Sequence, residues 1–120
     1  MIRWASGVRA PPGEYAPLGA YEFAVRALSA LEPFNPTVTS WWRPGNVNVR
    51  AGGQRYSRHL WGLAMDFRSR DRSPSEIRSM VGALMRAGLW AQYEPELRDR
   101  FGRVTRYAHV HAQDRPGVRE

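Results

Sequence analysis

A chain of 120 residues, 42% of them hydrophobic, is the size of one compact domain and too short for two independent cores. Its eighteen basic residues, dominated by arginine, against eleven acidic ones leave +7, which points to a polyanionic partner such as nucleic acid, anionic lipid or an acidic cell-wall polymer without choosing among them. The absence of cysteine excludes disulfides and thiolate metal sites, no run reaches the roughly 18 apolar residues of a membrane span, and "MIRWASGVRAPPGEY" lacks the apolar core of a signal peptide, so synthesis in the cytoplasm is expected.

Residues 1–16 are rich in proline and glycine and read as an irregular arm over the surface. From Leu18 to Leu31 the apolar positions Tyr21, Val25, Leu28 and Leu31 keep helical spacing, and Pro33 and Pro36 end the pattern. "TVTSWW", Thr37 to Trp42, is β-branched and aromatic and predicts a strand that enters the long polar loop "RPGNVNVRAGGQRYS". Loops of that length in a small domain are often functional.

"LAMDFRS" alternates as a strand does, with Ala64 and Asp66 on one face and Leu63, Met65 and Phe67 on the other. Ser73, Pro74 and Glu76 then spell a capping box with proline at the first helical position. The helix they open carries Ile77, Met80, Val81, Leu84 and Met85 on one stripe and stops at Gly88. "LWAQYE" is read as a short strand, "PELRDRFG" as a turn or short helix, and "RVTRYAHVHAQ" as a strand, before a polar tail over 114–120. Two helices among at least three strands, without regular alternation, predict an α+β fold: a small antiparallel sheet flanked by helices in one domain.

Three histidines are the candidate chemistry. On a strand His109 and His111 point to the same face, and if Asp66 lies on a neighbouring strand facing the same way, three ligands can surround one ion. Two histidines and an aspartate with a fourth position left to water is the composition of a catalytic rather than a structural zinc site. Gly62 would let the chain turn so that His59 and Asp66 both reach the ion. The alternative is three unrelated histidines, one on a loop and two on a sheet face, with Asp66 capping a turn or pairing with an arginine.

The stretch "SRHLWGLAMD" resembles the first motif of the M15 zinc peptidases, the D-Ala-D-Ala carboxypeptidase group related to the Hedgehog signalling domain, at Ser57, His59, Gly62, Ala64 and Asp66. "SWWRPGN" and "AGG" are similar to the family's approach to that motif, and "YAHVHAQ" resembles the H-x-H of Hedgehog and of the lysostaphin-like murein endopeptidases. The resemblance runs from about Ser40 to Gln113. It implies a Hedgehog- or DD-peptidase-like fold, one Zn2+ held by His59, Asp66 and His111, and His109 beside the ion as catalytic base or stabiliser of the tetrahedral intermediate. Arg43 occupies the position of the family arginine that binds a substrate carbonyl or carboxylate. Ser57 is expected to orient a ligand or touch substrate.

One departure stands out. Many members carry a catalytic glutamate three residues before the last ligand, where this chain has Ala108 or, counted from His109, Arg106. Either His109 is the base or Glu94, just before the last strand, serves. In an exchanged arrangement, His109 binds the ion and His111 lies next to it.

The resulting expectation is a monomeric zinc peptidase of bacterial peptidoglycan, hydrolysing an amide in stem peptides or cross-links as a phage endolysin does, made in the cytoplasm and acting on the cell wall. The rival from another class is a zinc-holding but non-catalytic Hedgehog-like binding module. A nucleic-acid partner is not expected, because the arginines lack the basic-aromatic pattern of a recognisable module. Trp41, Trp42, Trp61 and Trp90 are read as core or cleft wall, and Arg68, Arg70, Arg72, Arg98, Arg100 and Arg103 as a solvated basic surface.

Overall fold

The structure is a computed structural model that describes residues 1–12, 19–44 and 58–116. Its elements in chain order are β1 (Arg3–Trp4), α1 (Ala20–Leu31), β2 (Thr37–Ser40), β3 (Ala64–Arg68), α2 (Pro74–Arg86), β4 (Trp90–Glu94), β5 (Leu97–Arg98), β6 (Val104–Arg106) and β7 (His109–Gln113). The main sheet runs β1-β2-β3-β7-β4, and β5 pairs with β6 in a separate hairpin. The α+β reading holds. The sheet is mixed rather than purely antiparallel, because β1 joins β2 in parallel while the other pairs are antiparallel.

β1 comes from the arm expected to be irregular. Two residues are too few to show a period, yet Arg3 N–H donates to the Pro36 carbonyl and Ala5 N–H to that of Val38, which ties the arm to the sheet edge. Tyr21 helps hold the same arm by donating its hydroxyl to the Pro11 carbonyl at 2.6 Å.

α1 buries a different stripe from the one its large residues suggest. Ala20, Phe23, Ala24, Ala27 and Leu31 face the core, whereas Tyr21 and Val25 are 47% and 66% exposed. Both sets keep helical spacing, but alanines let the helix approach closely, and that packing decides the face. α2 begins as expected: Ser73 Oγ accepts from Glu76 N–H at 3.1 Å, and the Glu76 carboxylate accepts from Ser73 N–H. Met80 and Leu84 are buried, Ile77 and Val81 pack beside them, and Met85 faces outward. Gly88, with φ of 87°, closes the helix in the left-handed region.

"PELRDRFG" is neither helix nor simple turn but the first half of the β5–β6 hairpin. Asp99 closes it by accepting from the N–H groups of Phe101 and Arg103, and Gly102 takes φ of 80°. The Arg103 N–H, with the guanidinium of the same residue, holds the Asp99 carboxyl below its usual range. The predicted strand 103–113 is therefore two strands, β6 and β7, divided at Tyr107 and Ala108.

α2 packs on β4 and β7 and against α1, so the core lies on one face of the sheet. Val38, Met65, Phe67, Val110 and Ala112 meet Phe23, Leu31, Met80 and Leu84 there. Strand alternation sends the intervening residues to the other face, where the polar side chains collect.

Candidate metal centre and its cleft

Register places the chemistry. On the face opposite the core, Asp66 of β3 lies across from His111 of β7, which lies across from Gln92 of β4; one step along, His109 is flanked by Arg68 and Glu94. His111 and Gln113 are fully buried, while Asp66, His109 and Glu94 are nearly so.

His59 arrives from outside the sheet, on a short 3-10 turn, Arg58–Trp61. That turn is fastened to the segment after β2. The indole N–H groups of Trp41 and Trp42 donate to the carbonyls of Gly62 and Leu60, and Arg43 N–H donates to the His59 carbonyl at 3.1 Å. Arg58 adds a fork onto Asp114 at 2.6 Å. Trp41 is buried and Trp42 half-buried against the cleft, but Trp61 is exposed, so it is neither core nor wall.

Gly62 lets the chain leave this turn for β3. Its φ is 69°, and a Cβ there would sit 2.9 Å from the Pro11 side chain. Gly62→Ala is expected to cost about 1–3 kcal/mol, since it combines left-handed strain with the clash. Denaturant unfolding checks this, and an unchanged midpoint would mean that the turn is not constrained.

Hydrogen bonds orient each imidazole. His59 Nδ1–H donates to the Trp41 carbonyl at 2.7 Å, which turns Nε2 toward Asp66 Oδ2 at 3.2 Å. His111 Nε2 faces Gln113 Oε1 at 2.8 Å, and Gln113 Nε2 donates onward to the Arg115 carbonyl, which fixes Oε1 as the acceptor. His111 Nδ1 then faces Asp66 Oδ1 at 2.9 Å. His109 follows the same plan, with Nδ1–H donated to the Tyr107 carbonyl and Nε2 lying 3.6 Å from Asp66 Oδ1. In these tautomers nitrogen lone pairs point at a carboxylate, a repulsive arrangement unless a cation stands between them.

Spacing supports that reading. Ligand atoms of His59, Asp66 and His111 all lie within 4.8 Å of one another. Tetrahedral zinc with bonds near 2.1 Å separates its ligands by roughly 3.4 Å. Two neutral imidazoles and one carboxylate are also the donor types that zinc takes without thiolate. The residues present fit a metal ion.

Around this centre Arg43 donates from Nη2 to Asp66 Oδ2 at 3.3 Å and from Nε to Ser40 Oγ at 3.0 Å. Glu94 lies beyond His109: its Oε2 is 3.4 Å from His109 Nε2 and 3.3 Å from Arg106 Nη1, and its Oε1 accepts from Gln92 at 2.8 Å. A cleft of about 630 Å³ opens over Asp66, His109 and Arg43, walled by Trp41 and Trp42. His59, His111 and Glu94 are buried and do not line it.

The structure thus brings together six of the seven residues singled out from the sequence: Arg43, His59, Asp66, Glu94, His109 and His111. Ser57 lies outside the described residues, as do Gly52 and Gly53. Gln92, Arg106 and Gln113 were missed. Strand alternation alone places Gln113 on the face of His111, but Arg106 depends on the unrecognised hairpin. The basic surface also divides: Arg98 and Arg103 pair with Glu96 and Asp99 on the hairpin and Arg72 with Glu76, whereas Arg68 and Arg70 line the cleft.

Comparison with protein-family models matches the family described as Peptidase M15 over residues 24–112, which takes in most of α1, all of α2, the strands from β2 to β6, most of β7 and the convergent histidines. No curated protein matches the chain. Among the described residues no helix is long and apolar enough to cross a membrane. The family match spans most of the chain and the buried His-Asp-His group has the donors of a metallopeptidase centre, so the protein belongs to the M15 peptidase family.

Proposed function

We propose that the protein is a zinc-dependent peptidase of bacterial peptidoglycan, with one ion held by His59, Asp66 and His111. The observation that carries this is the convergence of three oriented imidazoles on Asp66 at the floor of an arginine-lined cleft. When bound, zinc supplies Lewis acidity and a water acidic enough to attack an amide at neutral pH.

The protein's own groups do the rest. His109 reaches the cleft floor, and its Nε2 is the acceptor for the proton that the attacking water gives up, since Nδ1–H is committed to Tyr107. Glu94, held by Arg106 and Gln92, places a negative charge beside the imidazolium formed and so favours the transfer. This supplies the carboxylate that the chain lacks at Ala108. Arg43 presents a fixed fork at the cleft to a substrate carbonyl or terminal carboxylate. Peptidoglycan suits a cationic cleft because its stem peptides carry carboxylates.

Paired variants separate the two histidines of β7. His109→Ala is expected to retain one zinc and lose hydrolysis by about 10²- to 10⁴-fold, whereas His111→Ala loses the metal. Metal analysis and turbidity loss of purified sacculi read both effects, and metal loss in His109→Ala instead would exchange their roles. A wild-type protein that holds zinc yet leaves sacculi intact would be a binding module, and the peptidase reading would fall.

A further inference from the structure

The cleft carries more positive charge than the proposed reaction uses. Arg43 and Arg106 are engaged by Asp66 and Glu94. Arg68 and Arg70 line the same cleft, and among the described residues neither has an ion pair or a side-chain hydrogen bond. Acids lining the cleft do not neutralise them, since Asp66 faces the histidines and Glu96 pairs with Arg98 at 2.7 Å. Arg68 is half-buried and Arg70 exposed, and cationic groups lining a concave cleft with no internal counter-ion favour an anionic occupant.

Position says which part of the occupant is anionic. Arg68 is two residues beyond Asp66 on β3, so both side chains leave the same face about 7 Å apart, and its neighbour across the strands is His109. An extended peptide advances about 3.3 Å per residue, so 7 Å corresponds to roughly two residues from the bond held at the centre. Arg70, in the turn just after β3, lines the same cleft.

Resting on the peptidase reading, we propose that Arg68 and Arg70 form an anion subsite that selects acidic peptides, the substrate carrying a carboxylate within about two residues of the cleaved bond. The guanidinium forks donate to that carboxylate in charge-assisted hydrogen bonds, which discriminate it from a neutral amide of the same shape.

The test uses two synthetic stem peptides, one with a free glutamate carboxylate and one with that carboxylate converted to the primary amide. Both kcat/KM and equilibrium binding are measured, the latter by calorimetry on zinc-loaded His109→Ala protein to prevent turnover. The wild-type protein is expected to prefer the free acid by about 10- to 100-fold, and Arg68→Gln with Arg70→Gln brings the acid-to-amide ratio to about one. Arg68→Lys, which keeps the charge but not the fork, gives an intermediate ratio. Hydrolysis without acid preference, or a preference that survives both glutamine substitutions, overturns the subsite while leaving the peptidase reading in place. Acid-selective binding that the glutamine variants abolish, without cleavage of either peptide, supports the subsite and overturns the peptidase reading.

Discussion

Asp66→Ala is expected to abolish both metal binding and hydrolysis. Asp66 is the hub of the centre, with His59 and Arg43 on one oxygen and His109 and His111 on the other. Loss of residues that merely orient metal ligands commonly weakens binding by about 10- to 100-fold, and removing a ligand exceeds that. The variant also removes the nearly buried ion pair between Arg43 and Asp66, which lowers folding stability as well as metal affinity. Asp66→Asn keeps the volume and one oxygen but removes the charge, so it should fold better and still fail to hold zinc. Metal content together with denaturant unfolding reads both effects. An alanine variant that retains one zinc would remove Asp66 from the ligand set.

Phe67→Ala is the second large effect, and it comes from the opposite face of the same strand. Phe67 is fully buried among Val38, Met65 and Val110, one residue from Asp66 but pointing away from it. Truncation is expected to cost about 3–5 kcal/mol in lost burial and residual cavity. Against a typical total of about 5–15 kcal/mol, that is enough to unfold a sizeable fraction of the protein at moderate temperature. The folded fraction should bind one zinc as the parent does, because the ligands lie across the sheet. A fall in unfolding midpoint without loss of metal per folded molecule checks this, and loss of metal from fully folded protein would mean that the two faces are coupled.

The contrast between these residues shows what could be read from sequence and why. Strand alternation in "LAMDFRS" assigns Asp66 and Phe67 to opposite faces, and the same rule puts His109 and His111 together, so the grouping of these three polar side chains on one face was open to inference. The capping box at Ser73 is a local hydrogen-bond device and is written locally. Other features depend on distant partners. The buried stripe of α1 is chosen by how closely alanines let it approach the core, against the preference suggested by Tyr21 and Val25. β1 exists because Pro36 and Val38 offer carbonyls to it. The β5–β6 hairpin rests on Asp99 and Gly102 in a segment with weak alternation, and without it the anchor of Glu94 by Arg106 could not be foreseen. Nor does sequence spacing reveal that Trp41 and Trp42 donate to the turn that carries His59.

Mass analysis of the muropeptides released from purified sacculi, with and without chelator and after zinc is restored, tests the central claim most directly. The account predicts products cut at one peptide bond, absent with chelator and recovered with zinc. The same products in the presence of chelator, or intact peptides in the presence of zinc-loaded protein, would contradict it.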